Sequence, residues 1–163
     1  MKKVENFWFY YKKHLLIGLA VLLVLAYFGI QRISTPIPDY HIGLVREIPC
    51  TQEELEALKL RFTAAGQDVN GDGQVLVAIH TYYIDLSNDT ANVSEETVQT
   101  VSALDADLIG GVSGIFLLED VVAFQAATNG ILESVIPDFD QDLFLALRKD
   151  ADSIYKTLLQ RLC

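Results

Sequence analysis

The chain has little cysteine, proline, tryptophan or methionine. Its 163 residues include two Cys, four Pro, one Trp and one Met. The low cysteine count excludes a disulfide-rich scaffold, and the low proline count excludes a collagen-like or proline-rich chain. Hydrophobic residues nevertheless make up 51% of the sequence, which is enough to build the core of one ordinary domain.

Basic residues are also scarce. The formal net charge is −10, and the 86 residues between Arg61 and Arg148 contain 14 acids and no Lys or Arg. Nucleic acid is therefore not an expected partner, because phosphate binding needs clustered Lys and Arg. We interpret the acidic surface as one that favours solubility, and a face for cations or for a basic partner is the alternative.

One long apolar run lies near the N-terminus. Residues 15–30 contain no charge and no Pro, and a helix extended to Ile33 spans about 28 Å, close to the hydrocarbon thickness of a bilayer. Four lysines precede this run, whereas only Arg32 follows closely on the other side. The positive-inside rule therefore places the N-terminus in the cytoplasm. A cleaved signal peptide is the alternative, although no small-residue cleavage site follows the run.

These features predict four segments and a single-pass protein of the cell membrane. Residues 1–14 form a cytoplasmic basic and aromatic segment, residues 15–33 a transmembrane signal anchor, residues 34–39 a linker, and residues 40–163 an extracytoplasmic domain. The linker contains two prolines, which prevent the helix from continuing.

The predicted outer domain alternates strand and helix patterns. Residues 40–47, 75–84 and 115–118 are β-prone, and the second of these segments is almost continuously apolar, as strands buried on both faces are. Residues 143–147 fit either a fourth strand or the start of the last helix.

Helix signals fall between these strands. Thr51 and Glu54 form a capping box, and Gly66 is a suitable helix end. A second helix is expected over residues 95–109 after Ser94, with Val98, Val101, Leu104 and Leu108 on its apolar face. A third is expected over residues 121–128 after Asp120. The element order predicts an α/β domain of three layers, βαβαβα followed by a βα unit, with a mainly parallel sheet.

Residues 96–135 carry a family resemblance. The segment contains a helix, a break at Gly110 to Gly114, the short strand IFLL, an acidic loop and a short helix before a Gly-Ile-Leu turn. This order resembles the first lobe of bacterial extracellular solute-binding proteins, and the likeness covers about residues 40–137. It implies a lobe-like α/β fold on a membrane anchor of the Gram-positive type. Those proteins close two lobes on a solute, whereas this chain has room for one lobe, so the resemblance does not imply transport.

Acidic residues follow two of the predicted strands. Asp85 lies after the second strand, and Glu119 and Asp120 lie after the third. Ligands of open parallel sheets bind beyond the carboxyl ends of the strands, so these residues predict a site for a cationic or hydroxyl-rich solute. The alternative is that they cap helices, and Asp120 is well placed to do so.

A partial calcium-loop pattern precedes the second strand. Asp68, Asn70 and Asp72 alternate and Gly73 follows, as in the first half of a calcium-binding loop. The twelfth loop position is Ile79, where a bidentate Glu is required. We therefore favour a helix-to-strand turn and expect no cofactor, with Ca²⁺ binding as the alternative.

The two cysteines and three histidines give weaker signals. On the predicted topology Cys50 and Cys163 both lie outside the membrane, where a disulfide can form. Cys50 is also placed to form a hydrophobic staple at the start of the first helix. The histidines, His14, His41 and His80, do not cluster along the sequence, and we interpret His80 as a core or partly exposed residue of a strand and not as a catalyst.

The sequence thus predicts a single-pass, membrane-anchored extracytoplasmic domain that binds a small solute or a protein partner, with no catalysis. Two alternatives stay open. One is a small accessory subunit of a membrane or envelope complex, and the other is an extracytoplasmic hydrolase that uses acidic residues.

Overall fold

A computed structural model of the chain describes residues 13–14, 16–28, 36–86, 95–140 and 142–162. The chain separates into two compact units, Met1–Ile37 and Pro38–Cys163. In the first unit, residues 16–28 form helix α1, and their side chains are exposed. Within the described ranges, no helix has both the length and the apolar character that crossing a bilayer requires. The predicted membrane span also includes residues 15 and 29–33, which lie outside the described residues.

The second unit is the predicted α/β domain. Its elements are, in chain order, β1 (Tyr40–Arg46), α2 (Gln52–Ala65), β2 (Val77–Tyr83), α3 (Glu95–Gly110), β3 (Ile115–Leu118), α4 (Val121–Ala127), β4 (Leu132–Asp140), β5 (Leu143–Arg148) and α5 (Ser153–Leu162). The first three strands begin and end within two residues of their predicted boundaries. The mixed α/β class is therefore confirmed.

The strands form one five-stranded sheet in the order β2-β1-β3-β5-β4. Strand β1 pairs in parallel with both β2 and β3. Strand β5 runs antiparallel to β3, and β4 runs antiparallel to β5. The predicted parallel sheet is thus present in β2, β1 and β3, and an antiparallel hairpin completes the sheet.

This hairpin corrects the predicted end of the domain. The sequence patterns place no strand over residues 132–140, but these residues form β4 at the edge of the sheet. The register of β4 shifts twice, between Leu132 and Ser134 and between Ile136 and Asp140, which breaks the alternation expected of a strand. Residues 143–147 lie in a strand and α5 follows it, so the βα unit is present. The connection from β4 is too short for a parallel crossover, so this strand runs antiparallel to its neighbours.

The capping box predicted for the first helix of the domain is confirmed. Thr51 Oγ1 accepts a hydrogen bond from Glu54 N at 3.3 Å, and Glu54 Oε2 accepts one from Thr51 N at 2.8 Å. At the other end, Gly66 N donates to Phe62 O at 2.9 Å. The first two bonds cap the start of α2, and the third caps its end.

The sheet is covered on both faces, which gives the predicted three layers. Phe62 of α2 and Leu158 of α5 belong to the apolar cluster on one face, which we call the α2–α5 face. Leu104 of α3 and Phe124 of α4 belong to the cluster on the other face, together with Phe116 of β3. We call this second side of the sheet the α3–α4 face.

Helix α3 packs against the sheet with the C-terminal half of its predicted apolar side. Val98 and Val101 are 51% and 39% exposed, so they do not lie on its buried side. Leu104 is buried at 5% exposure and Leu108 packs against the α3–α4 cluster, as predicted, and Asp107 is also buried at 5% exposure. The Asp107 carboxylate accepts three hydrogen bonds, so the buried side of α3 includes an acid that apolar periodicity does not predict.

Candidate functional site

The helices that follow β1 and β3 lie on opposite faces of the sheet. Helix α2 packs on one face and α4 on the other. In open α/β sheets such a divergence leaves a crevice beyond the carboxyl ends of the strands, where ligands bind. In this domain the crevice is a cleft of about 340 Å³, a volume at the lower end of the range for small-molecule sites.

The structure brings the three predicted site residues together at this cleft. Asp85, Glu119 and Asp120 all line it, and Glu47 lies beside them. Asp85 is half-buried after β2, whereas Glu119 and Asp120 are exposed after β3. The common location of these acids therefore agrees with the sequence, and their role in binding stays a prediction.

Two of these carboxylates also hold the backbone. Glu119 Oε2 accepts a hydrogen bond from Glu47 N at 2.9 Å, which ties the end of β3 to the segment after β1. Asp120 Oδ1 accepts one from Ala123 N at 2.9 Å and caps α4, as the sequence predicted. A carboxylate offers about four acceptor positions, so these bonds leave acceptor capacity for a ligand.

Arg46 brings a positive charge to the wall of the cleft. Its Nη1 donates to Cys50 Sγ at 3.0 Å, and within the described structure its buried Nε has no hydrogen-bond partner. Burial lowers the pKa of Arg46, but the hydrogen bond to Cys50 and the charges of Glu119 and Glu54 outweigh it and hold the pKa above its ordinary value. The cleft thus combines several carboxylates with one permanently charged guanidinium.

The oxygen atoms of the partial calcium loop are used within a turn. Asp68 accepts hydrogen bonds from Gly71 N at 2.6 Å and from Gly73 N at 2.8 Å. Asn70 Oδ1 accepts one from Asp72 N at 2.8 Å. Both glycines have positive φ, 76° and 85°, so they permit the tight turn that the sequence predicted. No three His, Cys, Asp or Glu side chains of the described residues form a metal-holding group.

Asp39 fastens the same turn from the linker side. Its carboxylate accepts hydrogen bonds from Val69 N at 2.8 Å, Asn70 N at 3.0 Å and Leu76 N at 2.9 Å. Burial raises the pKa of Asp39, but these backbone hydrogen bonds outweigh it and bring the pKa below its ordinary value. The turn is therefore fixed by carboxylates that bond to the backbone.

The predicted disulfide involves one residue that the structure describes. Cys50 is a free, half-buried thiol, and Cys50 and Leu55 each pack against the α2–α5 cluster. A staple contact between the two stays a prediction. Cys163 lies outside the described residues. The bridge between them stays a prediction.

Two histidines that are distant in sequence meet in the fold. His41 of β1 and His80 of β2 place Nδ1 and Nε2 3.0 Å apart, so the expectation that the histidines do not cluster is wrong for this pair. Burial and the neighbouring His80 lower the pKa of His41, and the charge of Asp107 acts in the opposite direction with less effect. Strand patterns alone do not reveal this contact, because it depends on the register between two strands.

Asp107 is the centre of a buried polar cluster that the sequence did not indicate. Its Oδ2 accepts hydrogen bonds from Tyr82 Oη and Ser113 Oγ, each at 2.6 Å, and its Oδ1 accepts one from Ser113 N at 2.7 Å. All three residues are buried. The one signal for this cluster in the sequence is the position of Asp107, an acid three residues after Leu104 and so on the apolar side of the helix.

Known proteins add no functional assignment. No protein-family model matches the chain, and neither the curated proteins nor the solved structures give a significant match.

Proposed function

We propose that this chain is a membrane-anchored binding domain whose ligand occupies the cleft beyond the carboxyl ends of β1, β2 and β3. The observation that supports this most directly is the convergence of Glu47, Asp85, Glu119 and Asp120, from three separate strand ends, on one cleft. Four carboxylates against one guanidinium favour a cationic ligand, and carboxylate oxygens also accept hydrogen bonds from hydroxyl groups.

The cleft suits a small ligand bound with modest affinity. Val45 and Ile84 contribute buried apolar surface to its lining, while the exposed acids keep the entrance in contact with water. Affinity depends on how completely ligand and site are desolvated, so we expect tight binding only when a second chain covers the entrance. Catalysis is not part of this proposal, since Glu119 and Asp120 each use a carboxylate oxygen to hold the backbone.

A double variant that replaces two carboxylates of the cleft by amides of similar size tests the binding site. Asp85→Asn with Glu119→Gln removes two charges, and the amide oxygen introduced at position 119 can still accept the hydrogen bond from Glu47 N. Binding of spermidine, arginine and glucose is measured by calorimetry on the full chain. We expect a probe that binds the wild type to lose most of its affinity for this variant.

The matched control is Glu56→Gln with Asp105→Asn, which removes two exposed charges elsewhere in the domain. This control should bind as the wild type does. Equal weakening in both double variants would indicate a general effect of net charge, and wild-type protein that binds none of the probes would contradict the ligand class.

We also propose that residues 15–33 form a transmembrane signal anchor, with residues 1–14 in the cytoplasm and residues 40–163 outside. The apolar run and the four preceding lysines support this orientation. Apolar side chains of α1 such as Leu16 and Leu25 are 63% and 67% exposed, which fits contact with lipid. External protease should remove a C-terminal tag from intact cells, and a tag that stays protected beside an intact cytoplasmic control contradicts this topology.

An accessory subunit is the second candidate. Ile109 of α3 and Val122 of α4 are 88% and 80% exposed on helices that cover the same face of the sheet. Such apolar side chains are typical of protein contacts when they form a patch. If this function is correct, Ile109→Asp with Val122→Asp should release the chain from a larger membrane complex on native gels, and the cleft variant should not.

A further inference from the structure

The contact between His41 and His80 follows from the parallel pairing of β1 and β2. In the register of these strands, Gly43 lies opposite His80 and Ala78 lies opposite His41. The two histidines are therefore two positions apart along the pair and project from the same face. Because Gly43 has no side chain, no β1 side chain stands directly beside the imidazole of His80.

The two imidazoles are arranged with their nitrogen atoms facing each other. His41 Nδ1 and His80 Nε2 are 3.0 Å apart, and the ring planes differ by 6° with centroids 5.3 Å apart. Both side chains are half-buried, so solvent reaches the pair. At this distance one nitrogen carries the shared hydrogen and the other offers its lone pair.

The separation of these nitrogens matches that of two histidines on one metal ion. Two nitrogens held 2.0–2.1 Å from a metal lie about 2.9 Å apart in square-planar geometry and about 3.3 Å apart in tetrahedral geometry. A tautomer change that moves the shared proton to the other nitrogen of its ring, together with a rotation of the rings, would direct both lone pairs to one point. The sheet fixes both Cα positions, so the donors are largely preorganised.

We propose that His41 and His80 form a binding site for one divalent transition-metal ion that prefers imidazole, such as Cu²⁺ or Zn²⁺. The nearby Asp107 carboxylate and the acidic domain both favour a cation at this position. No third His, Cys, Asp or Glu of the described residues joins the group. Water or an external ligand therefore completes the coordination, and the bound ion keeps open positions.

Zinc binding to the purified full-length chain tests this site. Calorimetry should detect one Zn²⁺ per wild-type chain and no saturable binding to either His41→Asn or His80→Gln. These substitutions keep a hydrogen-bonding group near the position of each nitrogen while removing the imidazole, so the sheet should stay intact.

The chain offers matched controls for both donor types. His14→Gln changes a histidine outside the pair, and Cys50→Ser removes the described thiol. Both controls should bind Zn²⁺ as the wild type does. Zinc binding that survives in the His80→Gln variant overturns the proposal. Zinc binding that is lost in either control variant also overturns it.

If the histidine variants do not fold, a spectroscopic measurement on the wild type tests the same site. Pulsed electron paramagnetic resonance of the Cu²⁺-loaded chain should show coupling to the remote nitrogens of two imidazoles. Coupling to one imidazole, or to none, would also overturn the site.

Discussion

At the residue scale, Asp107 holds three hydrogen-bond donors in the α3–α4 face. Asp107→Ala would leave the Tyr82 hydroxyl, the Ser113 hydroxyl and the Ser113 N–H buried without this acceptor. Buried polar groups without partners are costly, so we expect the free energy of unfolding to fall by about 3 kcal/mol. Urea denaturation measures this loss.

The same helix provides the control for Asp107. Asp105 is an exposed acid two residues earlier, and Asp105→Ala should change stability by less than about 0.5 kcal/mol. Similar losses for both variants would show that the hydrogen bonds of Asp107 contribute little.

Tyr82 gives the cluster a distinctive response to alkaline pH. Burial, the hydrogen bond to Asp107 and the charge of Asp107 all raise the pKa of Tyr82. The unfolded chain therefore loses this proton near pH 10, its ordinary pKa, while the folded chain retains it. The stability contributed by Tyr82 is fully present below pH 10 and is lost as the pH rises through the folded-state pKa.

Lysines also titrate at alkaline pH, but they do so in both the wild type and the Tyr82→Phe variant. The difference in stability between the two proteins therefore reports the titration of Tyr82. At pH 7 the variant should be less stable than the wild type by about 1 kcal/mol, because it lacks the hydroxyl hydrogen bond. The difference should shrink as urea unfolding is repeated from pH 8 to pH 11. A difference that stays constant over this range would contradict the raised pKa.

At the scale of elements, the pairing of β1 with β3 depends on a glycine. A Cβ atom at Gly43 would lie 2.5 Å from two ring atoms of Phe116. Since Phe116 is completely buried, Gly43→Ala should lower the free energy of unfolding by about 1–3 kcal/mol. The midpoint of urea denaturation measures this change.

A second substitution tests the stated cause. Phe116→Leu removes the crowded ring, so adding it to Gly43→Ala should cost less than the sum of the two single changes. Gly110→Ala is the control, because its Cβ would meet Val112 Cγ2 at an ordinary 3.5 Å. Strict additivity of the two changes would indicate that the ring is not the obstacle.

Local signals in the sequence predicted the elements that depend on neighbouring residues. The capping box of Thr51 and Glu54 and the cap at Asp120 act within three residues, and the structure confirms both. Strand β4 was missed because its two register shifts and Pro137 hide the alternation of its side chains. A proline is tolerated there because β4 is an edge strand.

The sequence likewise predicted one part of the candidate functional site and missed another. The acids Asp85 and Glu119 were correctly placed at one edge of the sheet because the carboxyl ends of parallel strands share an edge. The His41–His80 contact and the Asp107 cluster were not predicted. The first depends on strand register and the second on the packing of α3 against Tyr82 of β2 and against Ser113, and neither is fixed by spacing along the chain.

At the scale of the whole molecule, the charge is unevenly divided between the two units. Residues 38–163 contain 21 Asp and Glu against seven Lys and Arg. Like charges repel in the compact state, and raising the salt concentration from 0.1 M to 1 M shortens the screening length from about 10 Å to about 3 Å. The urea midpoint of the full chain should therefore rise with NaCl over this range. A midpoint that falls would indicate that attractive ion pairs dominate the electrostatics.

The central position of β1 has a consequence for the time course of synthesis. This strand is made first, yet its second neighbour, β3, begins 69 residues after β1 ends. At a synthesis rate of about 5–20 residues per second, one edge of β1 waits roughly 3 to 14 seconds for its partner. Ile42 and Leu44 are fully buried in the finished domain. During that interval the sheet is incomplete, so these apolar side chains lack part of the packing that buries them. A chaperone that binds extended apolar segments should therefore recognise residues 40–46 on the nascent chain before any other strand of this domain.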